Sequence, residues 1–323
     1  MNSGINLTRD QINAFTFYDA NYNILGNWII RPGKRRYLGD KAKRICRFCK
    51  SDNATFRNDA HVIPQLLGNK TLMSFYECDA CNKDFGDDIE NHLGNWTKPS
   101  RTLSRIRGQN GCPVLKREGD NGWRIEGKGA NLHITANETG APFTVDEANH
   151  RVAFRLPRDP YIPLAVFKAF VRIGLTLMPD VEVHNFEELV EWVRNKNHTF
   201  GLMKKCFVAR TFHPGPMSNS LLFAMLLRRK SPTAECPYIF LVLSYGNEVF
   251  QLPIPCRKFD SHLDGKLLDI PTFPSPGSRD PAKYGPPVTE MLDLTGIDEV
   301  RGDVVHIDMQ FEESKAIDNA SEL

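Results

Sequence analysis

The sequence predicts an α+β protein. A small N-terminal strand–strand–helix module is stapled by a metal, and a larger α+β domain built on an antiparallel sheet follows. Three observations carry that prediction. Two Cys-x-x-Cys pairs, Cys46/Cys49 and Cys78/Cys81, bracket a short stretch of extended chain. A strongly apolar helix over 164–178 carries Val166, Phe167, Phe170, Ile173, Gly174 and Leu177 on one face and ends at Pro179. Four strand-like runs then follow, at 205–212, 220–227, 238–245 and 248–254. Gly246-Asn247 between the last two is a two-residue hairpin signal.

Taken in order, residues 1–30 hold Phe15, Phe17, Tyr18, Tyr22, Trp28 and Ile29, too many large apolar groups for a tail. They are expected as short strands against the metal module, with Gly26-Asn27 and Pro32-Gly33 as turns. Residues 55–63 read as extended chain closed by Pro64, 65–69 as a turn, and 73–76 as a second short strand. A helix is expected from Asn82, with Phe85, Ile89 and Leu93 at helical spacing and Gly94 as its stop. Residues 112–160 read as short strands with glycine turns, Trp123, Ile125, Leu132 and Ile134 supplying alternating apolar positions. A second helix follows at 186–193, a Pro/Gly-rich surface loop at 271–287 and an acidic tail at 308–323.

A chain of 323 residues has room for two domains. The boundary is expected between Gly108 and Pro113, giving an N-terminal module of 1–110 and a regulatory or targeting domain of 111–323. With 41% hydrophobic and 25% charged residues the composition is that of a globular protein in water. No apolar run approaches the ~18 residues that span a bilayer. The polar start, Met1 to Asp10, lacks a secretory apolar region, so a cytoplasmic location is expected. Cysteine usage agrees with a reducing compartment. Cys112, Cys206, Cys236 and Cys256 are scattered and expected as free thiols.

The paired cysteines are different. Two thiolate knuckles at this spacing are the ligand set of a tetrahedral zinc site. Four thiolates leave no open position for water, so Zn2+ held by Cys46, Cys49, Cys78 and Cys81 is expected to be structural. It would staple a module with little core of its own.

The net charge of +2 conceals an uneven distribution. Arg31, Lys34, Arg35, Arg36, Lys41, Lys43, Arg44, Arg47 and Lys50 crowd one segment, opposed there only by Asp40. Lys98, Arg101, Arg105 and Arg107 form a second group. Such density is what neutralising nucleic-acid phosphates requires. The candidate DNA contacts are Lys34, Arg35, Arg36, Lys43, Arg44 and Arg47; the competing expectation is a solvated surface.

Ala60-His61-Val62-Ile63-Pro64 lies between the knuckles, Leu67-Gly68-Asn69 follows, and Asn82 directly succeeds Cys81. In that order the segment resembles the HNH (His-Me finger) endonucleases of zinc-ribbon type, over about residues 35–100 of this chain. The resemblance implies a ββα-metal fold and phosphodiester hydrolysis. His61 would be the general base activating water, a task suited to imidazole near neutral pH. Asn82 would bind the catalytic cation, Mg2+ or Mn2+, through a hard amide oxygen; the competing expectation makes it a helix N-cap.

Two positions depart from the family pattern. The Asp that often precedes the catalytic His is Ala60 here, and the middle Asn falls at Met73, with Asn69 out of register. A substitute carboxylate is needed. Glu90, two helical turns after Asn82, is the first candidate and Asp59 the second. His92 is a poorer ligand for Mg2+.

The resemblance therefore implies a metal-dependent DNA endonuclease, and zinc modules of this type are often found in bacterial anti-phage and restriction systems. The C-terminal domain would then sense a small-molecule activator, a modified base or a protein partner. The alternative is a non-catalytic zinc-dependent module that binds DNA and recruits a partner.

Overall fold

Thr8 opens the first helix with a reciprocal cap. Its hydroxyl accepts the Gln11 amide, and the Gln11 side chain accepts the Thr8 amide. The fold is given by a computed structural model that describes residues 8–129, 131–136, 140–199, 202, 205–274 and 281–310. Helix α1 (Arg9–Asn21) runs directly into strand β1 (Tyr22–Ile30). The expectation of short strands packed on the metal module is corrected here. β1 is an edge strand of the large sheet, paired antiparallel with a strand two hundred residues away. The pairing slips between Ile24 and Gly26, so Gly26-Asn27 marks a bulge and not a turn.

Short strands β2 (Arg36–Leu38), β3 (Ala60–His61) and β4 (Leu72–Ser74) form one small sheet in the order β2-β4-β3. Helix α2 (Asp79–Asp87) follows, and α3 (Ile89–Leu103) continues after a break at Asp88. The strand–strand–helix order matches the expected ββα module, but two boundaries move. α2 begins at Asp79 because the Cys78 side chain caps it by accepting the Cys81 amide, so Asn82 is not an N-cap. Gly94 does not stop α3. The Arg101 guanidinium donates to the Gly94 carbonyl from about two turns further on, and the helix runs on against the core.

Strands β5 (Leu115–Arg117), β6 (Trp123–Lys128) and β7 (Asn131–Ala136) make a meander, and β8 (Phe143–Asp146) and β9 (Arg151–Pro157) a hairpin. Next come α4 (Pro163–Leu177), α5 (Asp180–Val183) and α6 (Glu187–Arg194). β10 (Phe207–Phe212), β11 (Leu222–Arg229), β12 (Ile239–Tyr245) and β13 (Glu248–Ile254) fall where the four runs were read, and β12 and β13 pair as the hairpin around Gly246-Asn247. β14 (Val288–Asp293) and β15 (Val304–Gln310) complete the set; β15 joins β9 and β8 in a three-stranded sheet. The large sheet is antiparallel throughout, in the order β1-β11-β12-β13-β10-β14. Residues 275–280 of the Pro/Gly-rich loop and 311–323 of the acidic tail lie outside the described residues.

Every residue of α4 is buried. Its approach to β13 is close: a Cβ on Gly174 would stand 2.5 Å from Ile254 Cδ1. One apolar cluster runs from Ile30, Val62, Leu67, Ile89 and Trp96 through Phe167, Phe170 and Ile173 to Leu241 and Phe250. The boundary expected near residue 110 therefore does not separate two cores. The metal module is seated on α4 and the large sheet. A smaller cluster, Leu115, Trp123, Ile125, Phe154, Leu156, Val305 and Ile307, binds the two three-stranded C-terminal sheets together. Among the described residues no helix is long and apolar enough to cross a membrane.

Candidate active site

The four cysteines converge. Their sulfurs all lie within 4.8 Å of one another, and Cys49 Sγ is 3.6 Å from Cys78 Sγ. A tetrahedral zinc with Zn–S near 2.3 Å sets its sulfurs about 3.8 Å apart, so the cluster fits the ion. The knuckles are built for it. The Cys49 and Cys81 amides point at Cys46 and Cys78 Sγ, each at 3.5 Å. The hydrogen bond from the Cys81 thiol lowers the Cys46 pKa, which favours the thiolate that a cation would bind. All eight cysteines are free of disulfides, and Cys206, Cys236 and Cys256 are buried.

His61 sits on β3, opposite Met73 of β4, and is half-buried. Burial lowers its pKa first, and the cations Arg172 and Arg35 add to this against Asp59, which raises it. The balance favours the neutral imidazole, the state a general base needs. Behind it the loop from Pro64 to Thr71 is pinned by buried Asn69. The Asn69 amide donates to the Ile63 and Leu72 carbonyls at 2.8 Å, and its oxygen accepts the Thr71 and Leu72 amides. Asn69, four residues before Met73, thus ties the two strands of the hairpin together.

Asn82 lies in the first turns of α2, half-exposed, and its carboxamide makes no hydrogen bond to a described residue. Asp59 is held by Arg35 at 2.6 Å and accepts from the Tyr37 hydroxyl at 3.1 Å. Glu90 is largely buried, its carboxylate 3.3 Å from Arg172. The same Arg172 Nη1 donates to the Val62 carbonyl at 3.0 Å, so one guanidinium nitrogen lies between the Glu90 carboxylate and the backbone next to His61. Ala60 is buried opposite Ser74, so nothing acidic replaces it there.

Arg172 was not singled out from the sequence. It comes from α4, is 1% exposed, and also grips Glu77, the residue before zinc ligand Cys78. One guanidinium therefore serves the β3 backbone, Glu77 and Glu90, and lies 5.8 Å from the Phe85 ring of α2. The signal was available: Lys168 and Arg172 stand four apart in a helix with no polar face. Lys168 donates to the Asn195 carbonyl at 2.7 Å across the Trp192 ring, and burial pushes it down to about 8.

The basic segment divides. Lys34, Arg35, Arg36, Lys43 and Arg44 are exposed. Arg36 donates to the Ile29 carbonyl, and Arg44 to the Phe56 carbonyl. Arg47 is corrected: it is buried, stacked 3.6 Å from the Tyr76 ring centre. It caps the end of α4 by donating to the Leu175 and Met178 carbonyls and pairs with Asp180. It has no face left for a phosphate. In the second basic group Lys98 pairs with Asp159, and Arg101 is buried against Gly94 and Thr97.

Asp88, His92 and His198 also gather, with one ligand atom of each within 4.8 Å of the others. His92 Nδ1 accepts the Ile162 amide at 3.1 Å, which places the ring proton on Nε2 and leaves the neutral imidazole no lone pair for a metal. His198 Nε2 meets Asp88 at 3.0 Å. This is a hydrogen-bonded latch joining the start of α3 to the segment after α6.

A hairpin carrying a neutral histidine, followed by a helix and closed by four cysteines, defines a zinc-stapled ββα-metal module. Residues 46–97 match the family model described as HNH endonuclease. No curated protein and no solved structure matches the chain.

Proposed function

We propose that the chain is a divalent-metal-dependent DNA endonuclease in which His61 takes the proton from the attacking water. The observation that carries this reading is the half-buried His61 on the hairpin of a stretch matched as HNH endonuclease. Asn82, with its amide uncommitted, and a carboxylate would hold Mg2+ or Mn2+. Such an ion, when bound, stabilises charge on the scissile phosphate and the leaving oxygen. Glu90 is the first choice of carboxylate. It shares Arg172 with Glu77, which takes the shorter contacts, whereas Asp59 has Arg35 and Tyr37 to itself.

Arg172 orients the site from behind by fixing the β3 backbone one residue after His61. Lys34, Arg35, Arg36, Lys43 and Arg44 would meet backbone phosphates, contacts that carry no sequence information. By the family resemblance alone, the C-terminal half is assigned to targeting or control, with a protein partner or small-molecule activator, within a bacterial defence system in the cytoplasm. The second reading, a non-catalytic DNA-binding module, is favoured by one observation, the buried Ala60 where a metal-binding acid often stands.

Nicking of supercoiled plasmid in Mg2+ or Mn2+, and its absence when neither is added to the zinc-loaded protein, tests the proposal. His61→Ala should lower the rate by at least about a hundredfold, the low end of what a positioned general base contributes, with zinc content unchanged. A wild-type protein that binds plasmid but never nicks it establishes the second reading.

A further inference from the structure

A pocket of about 240 Å³ opens where the HNH hairpin meets the edge of the large sheet. Ile30, Arg31 and Pro32 from the end of β1 form one wall, and Gly68, Lys70 and Thr71 from the hairpin turn form another. Arg107 after α3 and Asn219 and Ser220 before β11 close it. Three of these nine residues are cationic and none is acidic. Arg31, Lys70 and Arg107 line the pocket together and none of them makes an ion pair with a described residue. Gathering three unneutralised cations at one concavity costs self-repulsion that a bound anion removes.

The walls are fixed. The Thr71 hydroxyl donates to the Arg31 carbonyl at 3.0 Å, and the Arg36 amide donates to the Thr71 carbonyl at 2.7 Å. Asn69, buried beneath, ties Thr71 to both hairpin strands. Gly68 turns the chain at φ +97°, a left-handed conformation that glycine adopts without strain. The volume is below the 300–1,000 Å³ usual for a whole small-molecule ligand. It suits a single phosphate with its waters.

We propose that this pocket seats one phosphate of the DNA strand being cut, away from the scissile bond. The inference rests on the nuclease reading. Lys70 stands three residues before Met73, and Met73 pairs with His61. Three residues of extended chain span at most about 11 Å, and paired Cα atoms lie about 5 Å apart. The Lys70 backbone is therefore within about 16 Å of that of His61. At ~3.4 Å of rise per nucleotide, that is no more than about five nucleotides. Asn69 and Thr71 carry the register between the pocket and the catalytic strand, so a phosphate seated there sets which bond reaches His61.

The test is the double variant Lys70→Glu/Arg107→Glu in the full chain, two exposed side chains whose reversal leaves the core alone. A labelled duplex is titrated over a range of KCl with no Mg2+ or Mn2+ added and no chelator, so that zinc is retained, and adenosine monophosphate is titrated separately. The variant should bind duplex at least about tenfold more weakly, with the slope of log K against log salt smaller by about two. Unchanged duplex affinity and slope overturn the proposal. If adenosine monophosphate binding alone is lost, the pocket serves a free phosphorylated ligand and the DNA assignment falls. A wild-type protein that binds no duplex at all fails the nuclease reading itself, which separates the two failures.

Discussion

Arg172 holds Glu77 with Nη2 2.8 Å from each carboxylate oxygen and Nε 3.1 Å from one of them. Glu77 immediately precedes zinc ligand Cys78, and Arg172 comes from the helix at the centre of the C-terminal core. The pair is fully buried and joins the zinc staple to the rest of the protein. Removing one partner of such a pair costs roughly 3–5 kcal/mol, because the other charge is left without compensation. Arg172→Leu should therefore destabilise the protein by about that amount at pH 8, read by chemical denaturation. Arg172→Leu/Glu77→Leu should recover part of the loss. Strict additivity of the two single variants would show that the pair is not coupled.

Glu77 gives this region a pH dependence whose sign can be worked out. Burial pushes its carboxyl up to about 7, outweighing the pull of Arg172 in the other direction. The folded state thus holds the proton more tightly than the unfolded chain does. Its contribution to stability is fully present below the ordinary carboxylate range and is lost as pH rises through about 7. Glu77→Gln has no such proton to lose. Its stability relative to wild type should increase between pH 5 and pH 8, measured as the difference in Tm. Acid release of zinc acts on both proteins and cancels in that difference. A gap that is flat with pH, or that closes, would refute the assignment.

The Cys78 sulfur belongs to the four-cysteine cluster that fits a zinc and also caps α2. Serine is itself a good N-cap, so Cys78→Ser separates them. The expected outcome is loss of stoichiometric zinc by elemental analysis, with the Tm transition of the whole chain lowered, since structural zinc binding is folding free energy. Retention of one zinc per chain at wild-type Tm would mean that the ligand set is wrong.

What the sequence shows and what it hides follow from the range of the forces involved. The zinc knuckles, the hairpin around Gly246-Asn247 and the apolar helix over 164–178 are set by residues close together in the chain, and all were legible. The partner of β1 was not, because Trp28 pairs with Ala224 across about two hundred residues and nothing local encodes that choice. Arg47 reads as one more cation in a basic run. Its burial is decided by the free carbonyls at the end of α4, which only the tertiary fold brings to it. Asn69 was passed over because the hairpin loop has a different length from the classical motif, yet its four backbone contacts show the same need to hold two strands together.

The identity of the catalytic carboxylate can be decided by metal titration. Glu77 and Glu90 share one guanidinium, so the buried group has one more acid than base when both are ionised. Burial raises Glu90 while Arg172 lowers it. A divalent cation beside Glu90 would balance the excess charge, which is a reason for the acid to be kept there. Asp59 is already matched by Arg35, at a more exposed position. Glu90→Gln should therefore raise the Mg2+ or Mn2+ concentration at half-maximal nicking by at least about tenfold, within the range found when a group supporting a metal site is removed, and leave zinc content unchanged. Asp59→Asn should shift it far less. The reverse pattern, with wild-type metal dependence in Glu90→Gln and a large shift in Asp59→Asn, would make Asp59 the ligand and leave Glu90 as a counter-charge to Arg172 alone.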